Sequence, residues 1–343
     1  MAAVAGRAGL APPAEQPPQA QPPQAQPPSA AGSDDSGLRR DWLAPFGLNV
    51  LLTLAVHRRG RGDPTFRVDA DGAVWRTCLT PDGPATLRLT AGPPADGSPG
   101  TLIATQAWGA GAAWLAGCVP DLLGASDNPE AFEPAHPRLR SLASQLAGLR
   151  ISRTSRVFEA LVPAVLEQKV VGGEARRAWR ILLHRFGLPA PGPAPGGMRV
   201  MPPPATWLAI PSWEWHRAGV EAVRARTIAT AAGVAARIEE ACSLPAADAD
   251  RWLQSLPGIG VWTSAEIRQR AAGDADAVSV GDYHIPAQVG WALAGRPVDD
   301  AGMLELLTPY AGQRYRVTRL IELSGTGPPR RGPRMSVRDY RAI

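Results

Sequence analysis

The spacing of apolar residues changes along the chain from a strand-like to a helical pattern. Between about Trp42 and Leu123, apolar and polar positions alternate on both sides of Asp71-Gly72, a dipeptide that favours a hairpin. A short apolar run at 49–56 belongs to this strand-like region, and 108–115 has a helical pattern. We therefore predict a small antiparallel α+β domain. Its alternating segments are 65–69, 73–77 and 86–90.

From about Ser126 onward the apolar residues recur with the period of a helix. They return every three or four positions over 158–165, and more clearly over 175–186, after which Gly187 marks a helix stop. Pro163 lies inside the first of these segments. It predicts either a kink or a later helix start, because proline lacks the N–H that an interior helical position needs.

Proline-rich stretches and a basic end complete the predicted organisation. Two copies of Pro-Pro-Gln-Ala-Gln near the N-terminus cannot bury a core, the stretch 189–204 resembles a linker loop, and 207–240 holds two helical stretches. The predicted divisions are a disordered tail at 1–37, an antiparallel α+β domain at 38–125, a helical domain at 126–325 and a basic tail at 326–343.

Composition limits the class of protein. The chain has 343 residues, 45% of them hydrophobic, so it can bury a sizeable core and is expected to form two folded domains. Its formal net charge is +5, and Lys169 is its single lysine. Arginine suits phosphate contacts, but an arginine-rich, lysine-poor composition also marks a GC-rich genome. The charge therefore makes a polyanionic partner plausible and proves nothing alone.

The three cysteines indicate no metal site. Cys78, Cys118 and Cys242 lie far apart, form no C-x-x-C pair, and cannot supply the four ligands of a zinc or iron–sulfur centre. The histidines form no spaced cluster either, so we expect no metal held by side chains. The sequence contains no apolar run of membrane-spanning length and no secretory signal pattern, so we expect a cytoplasmic protein.

A glycine-rich turn between two helical stretches is the first candidate functional element. Ala249, Trp252, Leu253 and Leu256 share one helix face, and the segment Leu256-Pro257-Gly258-Ile259-Gly260 follows. The next helix is predicted from about Val261 to Ala272 with Thr263, Ile267 and Ala271 inward. Its first N–H groups lack partners and can hold a phosphate without reading sequence. The hairpin carbonyls could also hold a monovalent cation. An ordinary tight turn explains the same residues.

Asp282 is the second candidate, placed just before a helical stretch at about Gln288 to Leu293. An Asp at a helix start is commonly an N-cap, and that explanation is strong for Asp282 alone. The combination of a backbone phosphate clamp and one carboxylate, with a helix of fitting length between them, favours an enzyme that excises bases from DNA.

These residues resemble a known family. The stretch from Leu256 to about Tyr315 is similar to the helix-hairpin-helix (HhH-GPD) DNA glycosylases, and most similar to the bacterial 3-methyladenine DNA glycosylase II group. Upstream, Gln168 and its neighbours resemble the end of that family's helix that faces the lesion. The resemblance covers about 40–325, and the hairpin with its following Asp is its specific part. It implies a mainly α fold with an N-terminal antiparallel α+β domain.

The resemblance also implies site roles. Asp282 resembles the catalytic aspartate, whose carboxylate would stabilise an oxocarbenium-like sugar. Trp262 stands where strand-cutting members carry a Schiff-base lysine, which implies a monofunctional glycosylase. Trp262 and Tyr310 resemble the aromatic walls of a base pocket, to which Gln168 and Glu266 are also assigned. Lesion-bearing double-stranded DNA, bound by a monomer, is the implied partner.

Three positions depart from the most similar group. Lys169 occupies the place where that group has an apolar wedge residue, so it is a possible wedge that is charged instead of apolar. Glu266 replaces an aromatic residue and either contacts a base edge or faces solvent. His284, two residues after Asp282, has either a role in the site or a local capping role.

Two other functions stay open. The main one is a non-catalytic DNA-binding protein that uses the hairpin and keeps Asp282 as a helix cap. The other is a lyase-type glycosylase, which the missing lysine at Trp262 disfavours.

Overall fold

The computed structural model describes residues 37–329. It confirms the predicted fold class, a mainly helical protein with an N-terminal antiparallel sheet. The predicted tail at 1–37, apart from Gly37, and most of the basic tail at 326–343 lie outside the described residues. Within the described part, no helix is long and apolar enough to cross a membrane.

The N-terminal part is an antiparallel sheet with the strand order β1-β5-β4-β3-β2. The predicted hairpin is present, since Val68 pairs with Val74 and the side chain of Asp71 accepts a hydrogen bond from the Ala73 N–H at 3.0 Å. The apolar strand faces pack on residues of three short helices, among them Val50, Leu115 and Val119. The strands are β1 (Leu38–Ala44), β2 (Phe66–Val68), β3 (Val74–Thr80), β4 (Gly83–Gly92) and β5 (Thr101–Trp108).

Two expectations for this part were wrong. The apolar run at 49–56 is a helix, α1 (Val50–Leu54), continued by a 3-10 turn, because the Asn49 side chain caps it by accepting from the Leu52 N–H at 3.1 Å. The segment 108–115 is helical only from Ala112, since Trp108 ends β5. Strands β1 and β5 were not predicted. They pair in antiparallel register, from Leu38 opposite Ala107 to Ala44 opposite Thr101.

The remainder of the described chain is almost entirely helical. The helices before the hairpin are α2 (Ala112–Gly117), α3 (Val119–Leu122), α4 (Pro137–Gln145), α5 (Val157–Leu166), α6 (Gly172–Phe186), α7 (Pro204–Ala209), α8 (Ser212–Ala218), α9 (Ala222–Gly233) and α10 (Ala235–Ile238). Those that follow are α11 (Ala246–Gln254), α12 (Val261–Ala271), α13 (Ile285–Ala294), α14 (Asp300–Leu307) and α15 (Arg314–Leu323).

Two details of the helical prediction were wrong, and one alternative for Pro163 is excluded. Helix α5 begins at Val157, six residues before Pro163, so the helix does not start later; the Glu239 carboxylate accepts from the N–H groups of Val157 and Phe158, and a kink at Pro163 stays a prediction. The stretch 189–204 is not a free linker, because it contains β7 (Arg199–Val200), paired with β6 (Leu188–Pro189), and its Met198 packs on two buried tryptophans. The stretch 207–240 contains parts of α7 to α10 rather than two helices.

The sheet packs against the helices through buried polar contacts. Arg76 pairs with Glu159 of α5, Arg59 Nη1 lies 3.2 Å from Glu167 Oε1, and Trp179 Nε1 donates to Asp63 Oδ1 at 3.0 Å. Glu167 immediately precedes Gln168. The segment before β2 therefore contacts the end of α5, from which Gln168 and Lys169 extend.

Candidate functional site

The turn between α11 and α12 is anchored by one apolar residue and otherwise lies at the surface. Ile259 is 5% exposed and packs in the helical core, while Pro257, Gly258 and Gly260 are exposed. The predicted inward residues of α12, including Ile267, are buried. Ile259 thus anchors the turn to the helical core, and the backbone of the turn is open to a ligand from the solvent side.

The two glycines of this turn have different physical reasons to be glycine. Gly258 has a φ of +87°, and a Cβ there would collide with the side chain of Thr227 on α9. Gly260 has an extended φ of −102°, and a Cβ there would meet nothing within 4 Å. Of these two glycines, only Gly258 uses a positive φ. The missing side chain of Gly260 leaves room for a ligand instead.

Gly260 is also the N-cap of α12 and supplies no side-chain hydrogen bond to the helix. The first N–H groups of an α-helix have no carbonyl partner within the helix and carry a partial positive charge. Val261, the first residue of α12, is 47% exposed. The backbone here forms an exposed donor site suited to a phosphate oxygen.

Asp282 lies beside the first turn of α12. Its Oδ2 accepts a hydrogen bond from Trp262 Nε1 at 3.0 Å, and both side chains are half-buried. Its Oδ1 accepts from the N–H groups of His284 at 2.7 Å and Ile285 at 3.0 Å, at the start of α13. The carboxylate therefore caps α13 and also faces the hairpin helix. The N–H of His284, rather than its ring, makes the contact with Asp282.

A buried network fixes the loop that carries Asp282. The hydroxyl group of Ser279 donates to Glu266 Oε1 at 2.6 Å, and the N–H of Asp282 donates to the carbonyl of Ser279 at 3.2 Å. Glu266 Oε2 pairs with Arg270 at 2.7 Å, and Glu266 is only 7% exposed. The alternative that Glu266 faces solvent is wrong. Its two oxygens are occupied in this conformation, so contact with a base edge stays a prediction.

Gln168 contacts the hairpin directly. Its Nε2 donates to the carbonyl of Gly258 at 3.0 Å and to Thr263 Oγ1 at 2.9 Å. The side chain therefore joins the end of α5 to the turn. The adjacent Lys169 is exposed and has a φ of +54°, in the left-handed region that non-glycine residues seldom adopt. A role for Gln168 in a base pocket stays a prediction.

Tyr310 is placed differently from Trp262. It is 7% exposed, its ring centroid lies 6.1 Å from that of Phe132, and its hydroxyl accepts from the His136 N–H at 3.3 Å. No contact between the rings of Tyr310 and Trp262 is seen among the described aromatic pairs. Its assignment as a pocket wall stays a prediction.

Sequence reasoning missed Ser279 and Arg270 as partners of Glu266. Burial raises the pKa of Glu322, on which the charges of Arg319, Glu266, Arg270 and Asp282 also act. A helical spacing of charges could have indicated that Glu266 and Arg270 share one face of α12.

The chain resembles known proteins in its structure rather than in its sequence. No family model matches the sequence, and no curated protein matches it significantly. A 3-methyladenine DNA glycosylase from Archaeoglobus fulgidus superposes with a TM-score of 0.69 at 19% identity, over 83% of this chain and 97% of that one.

Two further structures are similar over most of their length. MBOgg1 in complex with a low-affinity DNA ligand gives a TM-score of 0.65 at 14% identity, over 86% of this chain and 99% of that one. The 8-oxoguanine glycosylase/lyase of Clostridium acetobutylicum, without DNA, gives 0.61 at 9% identity, over 80% and 92% of the two chains. The likeness thus includes both the sheet and the helices.

Proposed function

Because the chain has the fold of the helix-hairpin-helix DNA glycosylases, we propose that it is a monofunctional DNA glycosylase that excises alkylated purines. The observation that supports this best is the hydrogen bond between Trp262 Nε1 and Asp282 Oδ2. It puts a half-buried carboxylate beside the exposed N-terminus of α12, where a DNA phosphate would bind. A nucleotide held there by its phosphate would have its sugar within reach of Asp282.

The hairpin supplies binding that does not depend on base sequence. The N–H groups at the start of α12 would hold a phosphate next to the damaged nucleotide, with double-stranded DNA as the partner. Gly260 leaves the approach open because it carries no side chain. The damaged nucleotide would then be turned out of the duplex, at a cost of a few kcal/mol for unstacking.

Asp282 would supply the chemistry. As the bond from C1′ to the base breaks, positive charge develops on the sugar, and a fixed carboxylate stabilises that charge without having to reorganise. Three hydrogen bonds, from Trp262, His284 and Ile285, fix this carboxylate before the substrate arrives. It would also orient the attacking water.

Trp262 favours simple hydrolysis over strand cutting. A lyase needs an amine that forms a Schiff base with the sugar, and the indole of Trp262 cannot form one. Its electron-rich ring instead suits a cationic purine such as 3-methyladenine or 7-methylguanine. These bases already carry positive charge, so they leave without help from an acid.

The capping contacts of Asp282 favour a second candidate, a DNA-binding protein without catalysis. Oδ1 of Asp282 serves the start of α13 as an ordinary cap would. A cap needs only one oxygen, however, and Oδ2 is turned to the hairpin helix. Release of free base from alkylated duplex DNA by the purified protein, lost in Asp282→Asn, supports the enzyme; binding without release supports the cap.

A further inference from the structure

The loop between α1 and β2 contains three arginines and two glycines, in the order Arg58-Arg59-Gly60-Arg61-Gly62. The three arginines have different surroundings. Arg59 is buried, and its Nη1 lies 3.2 Å from Glu167 Oε1. Arg58 and Arg61 are exposed, and neither forms an ion pair with another described residue. Two positive charges of this loop are therefore turned to solvent without an acidic partner.

The loop is held to α6 by a buried carboxylate. Asp63 is 2% exposed, and its side chain accepts hydrogen bonds from the N–H of Arg59 at 2.7 Å and from Trp179 Nε1 at 3.0 Å. Trp179 belongs to α6. These contacts use neither of the exposed arginines, so the shape of the loop does not depend on them.

The glycines of the loop make room for two arginines of α6. A methyl group built on Gly60, which has a φ of +82°, would lie 2.7 Å from Arg176 Cδ, and one built on Gly62 would lie 2.9 Å from Arg180 Cδ. Arg176 and Arg180 share one helix face because they are four residues apart. Neither forms an ion pair with a described residue. The loop and α6 together thus form an arginine cluster, which consists of Arg58, Arg61, Arg176 and Arg180.

The arginine cluster lies close to the segment that contacts the hairpin. A methyl group built on Gly172, the first residue of α6, would lie 3.1 Å from Arg176 Nη1, so this guanidinium lies at the start of the helix. Gln168, four residues earlier, donates from Nε2 to the carbonyl of Gly258 at 3.0 Å. Four residues span at most about 14 Å. A short segment that includes Lys169 therefore joins the hairpin contact to the arginine cluster.

We propose that the arginine cluster binds phosphates of the undamaged strand while the hairpin holds the damaged strand. This inference rests on the proposed glycosylase function and deepens it, because it names a binding surface for the second strand of the duplex. The grooves of B-DNA are roughly 6 and 12 Å wide. Two phosphate sites joined by so short a segment fit the phosphates that face each other across one groove.

The chemistry of the arginine cluster suits this role. A guanidinium group is planar and always charged, and it can bind a phosphate through two parallel hydrogen bonds. Several other arginines of this chain are neutralised by acids, as Arg76 is by Glu159 and Arg316 by Asp127. An arginine-rich composition explains the number of arginines, but not the gathering of four without acidic partners on one loop and one helix face.

The first test measures affinity for an undamaged duplex as a function of salt. The double variant Arg61→Gln, Arg176→Gln removes two charges and keeps polar side chains of similar length. It should bind roughly tenfold more weakly, and the slope of log affinity against log salt should become shallower by about 1.8, since each lost phosphate contact removes about 0.9. Wild-type affinity and slope in the double variant would overturn the inference.

Two single variants separate binding from folding. Arg61→Gln changes an exposed side chain on the loop, so it should keep the wild-type unfolding temperature and still make the slope shallower by about 0.9. Arg237→Gln is the matched control, at an exposed position on α10. This helix leads into Glu239, which binds the start of α5, the end opposite Gln168. It should change neither affinity nor slope.

A second test identifies the strand. The probe is a duplex with one tetrahydrofuran abasic site, in which neutral methylphosphonate linkages replace the phosphates near that site on one strand at a time. Wild-type affinity should fall with either replacement. Affinity of the double variant should fall as far as that of the wild-type protein when the strand with the abasic site is neutralised, and by less than about twofold when the other strand is. Equal losses for the two proteins on neutralising the other strand would overturn the inference.

Both tests measure binding, so they are separate from base release. A protein that binds as expected but releases no base from alkylated duplex would fail the proposed function and retain the arginine cluster as a DNA-binding surface. A double variant with wild-type affinity, in a protein that does release alkylated bases, would overturn the role of the arginine cluster and leave the glycosylase function in place.

Discussion

Trp262 Nε1 donates a hydrogen bond to Asp282 Oδ2 over 3.0 Å, and this contact connects the hairpin helix to the loop before α13. The two residues are separated by a whole helix and a loop in sequence. With Oδ1 held by two backbone N–H groups, the carboxylate has one defined orientation. A catalytic carboxylate fixed in this way needs little rearrangement during the reaction.

Replacing Trp262 by Phe should separate the ring from its hydrogen bond. Phe keeps an aromatic surface but cannot donate to Asp282, so the carboxylate loses one of its three donors. A hydrogen bond to a charged group contributes about 1.5–3 kcal/mol, so we expect base release to slow by roughly 10- to 100-fold. Affinity for undamaged duplex should change little, because the hairpin backbone is intact. The control is Trp213→Phe, at a side chain on α8 that is 64% exposed, and it should change neither base release nor duplex affinity. Equal loss of binding and release in Trp262→Phe would mean that Trp262 is a packing residue only.

The two hairpin glycines form a natural pair for separating folding from binding. Gly258→Ala should lower the free energy of unfolding by about 1–3 kcal/mol, because it combines a positive φ with a collision against Thr227. Gly260→Ala should leave the unfolding temperature unchanged, since its φ is extended and its surroundings are open.

Both glycine variants should nevertheless bind every duplex more weakly. The slope of log affinity against log salt should become shallower, as expected when a phosphate contact is lost. A Gly260→Ala protein with wild-type affinity would show that no phosphate approaches this backbone.

Gln168→Ala tests whether Gln168 supports the hairpin or touches the base. The side chain makes two hydrogen bonds to the hairpin region, each contributing about 1 kcal/mol. We expect damaged and undamaged duplexes to lose affinity alike, by roughly fivefold to tenfold. Gln145→Ala, which removes an exposed side chain on α4 with one local hydrogen bond, is the control. A loss confined to damaged DNA would assign Gln168 to the base pocket instead.

Lys169 is held in a backbone conformation that disfavours a side chain. Lys169→Gly should be about 1 kcal/mol more stable than Lys169→Ala, because only glycine adopts a φ of +54° without strain. If Lys169 fills the space left by the extruded base, both variants should have a lower ratio of duplex to single-strand excision rates than the wild-type protein. Thermal unfolding measures the stability difference, and the ratio of excision rates on duplex and single-stranded DNA measures the wedge role.

Ser155 provides a control for that strain. It has the same φ of +54° and lies just before α5, where its N–H donates to the carbonyl of Ala271 at 2.9 Å, at the end of α12 opposite the hairpin. Ser155→Gly should change stability only. An unchanged duplex-to-single-strand ratio in Lys169→Gly would contradict a wedge role for Lys169.

The turn between α11 and α12 was predicted well because its determinants are local. Proline and glycine end α11, Ile259 packs into the core, and apolar residues at helical spacing define the buried face of α12. The hairpin strand pairing at Asp71-Gly72 was predicted for the same reason. Each of these features depends on residues a few positions apart.

Features that depend on distant contacts were not predictable in this way. The run at 49–56 is as apolar as a strand, yet a single cap from Asn49 and burial against the sheet make it a helix. The chain gives no signal that Gln168 reaches Gly258, ninety residues later, or that Glu266 binds Ser279 instead of solvent. Those contacts follow from how α5, α12 and the Asp282 loop pack together.

Base release by Asp282→Asn tests whether this carboxylate drives removal of the base. Asparagine is also a good helix cap, so the fold should be retained, but it lacks the negative charge that stabilises the sugar. We predict that the variant binds alkylated duplex with near wild-type affinity and releases 7-methylguanine at least roughly 100-fold more slowly, while Asp248→Asn on α11 behaves as wild type. Release at the wild-type rate by Asp282→Asn would show that this carboxylate does not drive base removal.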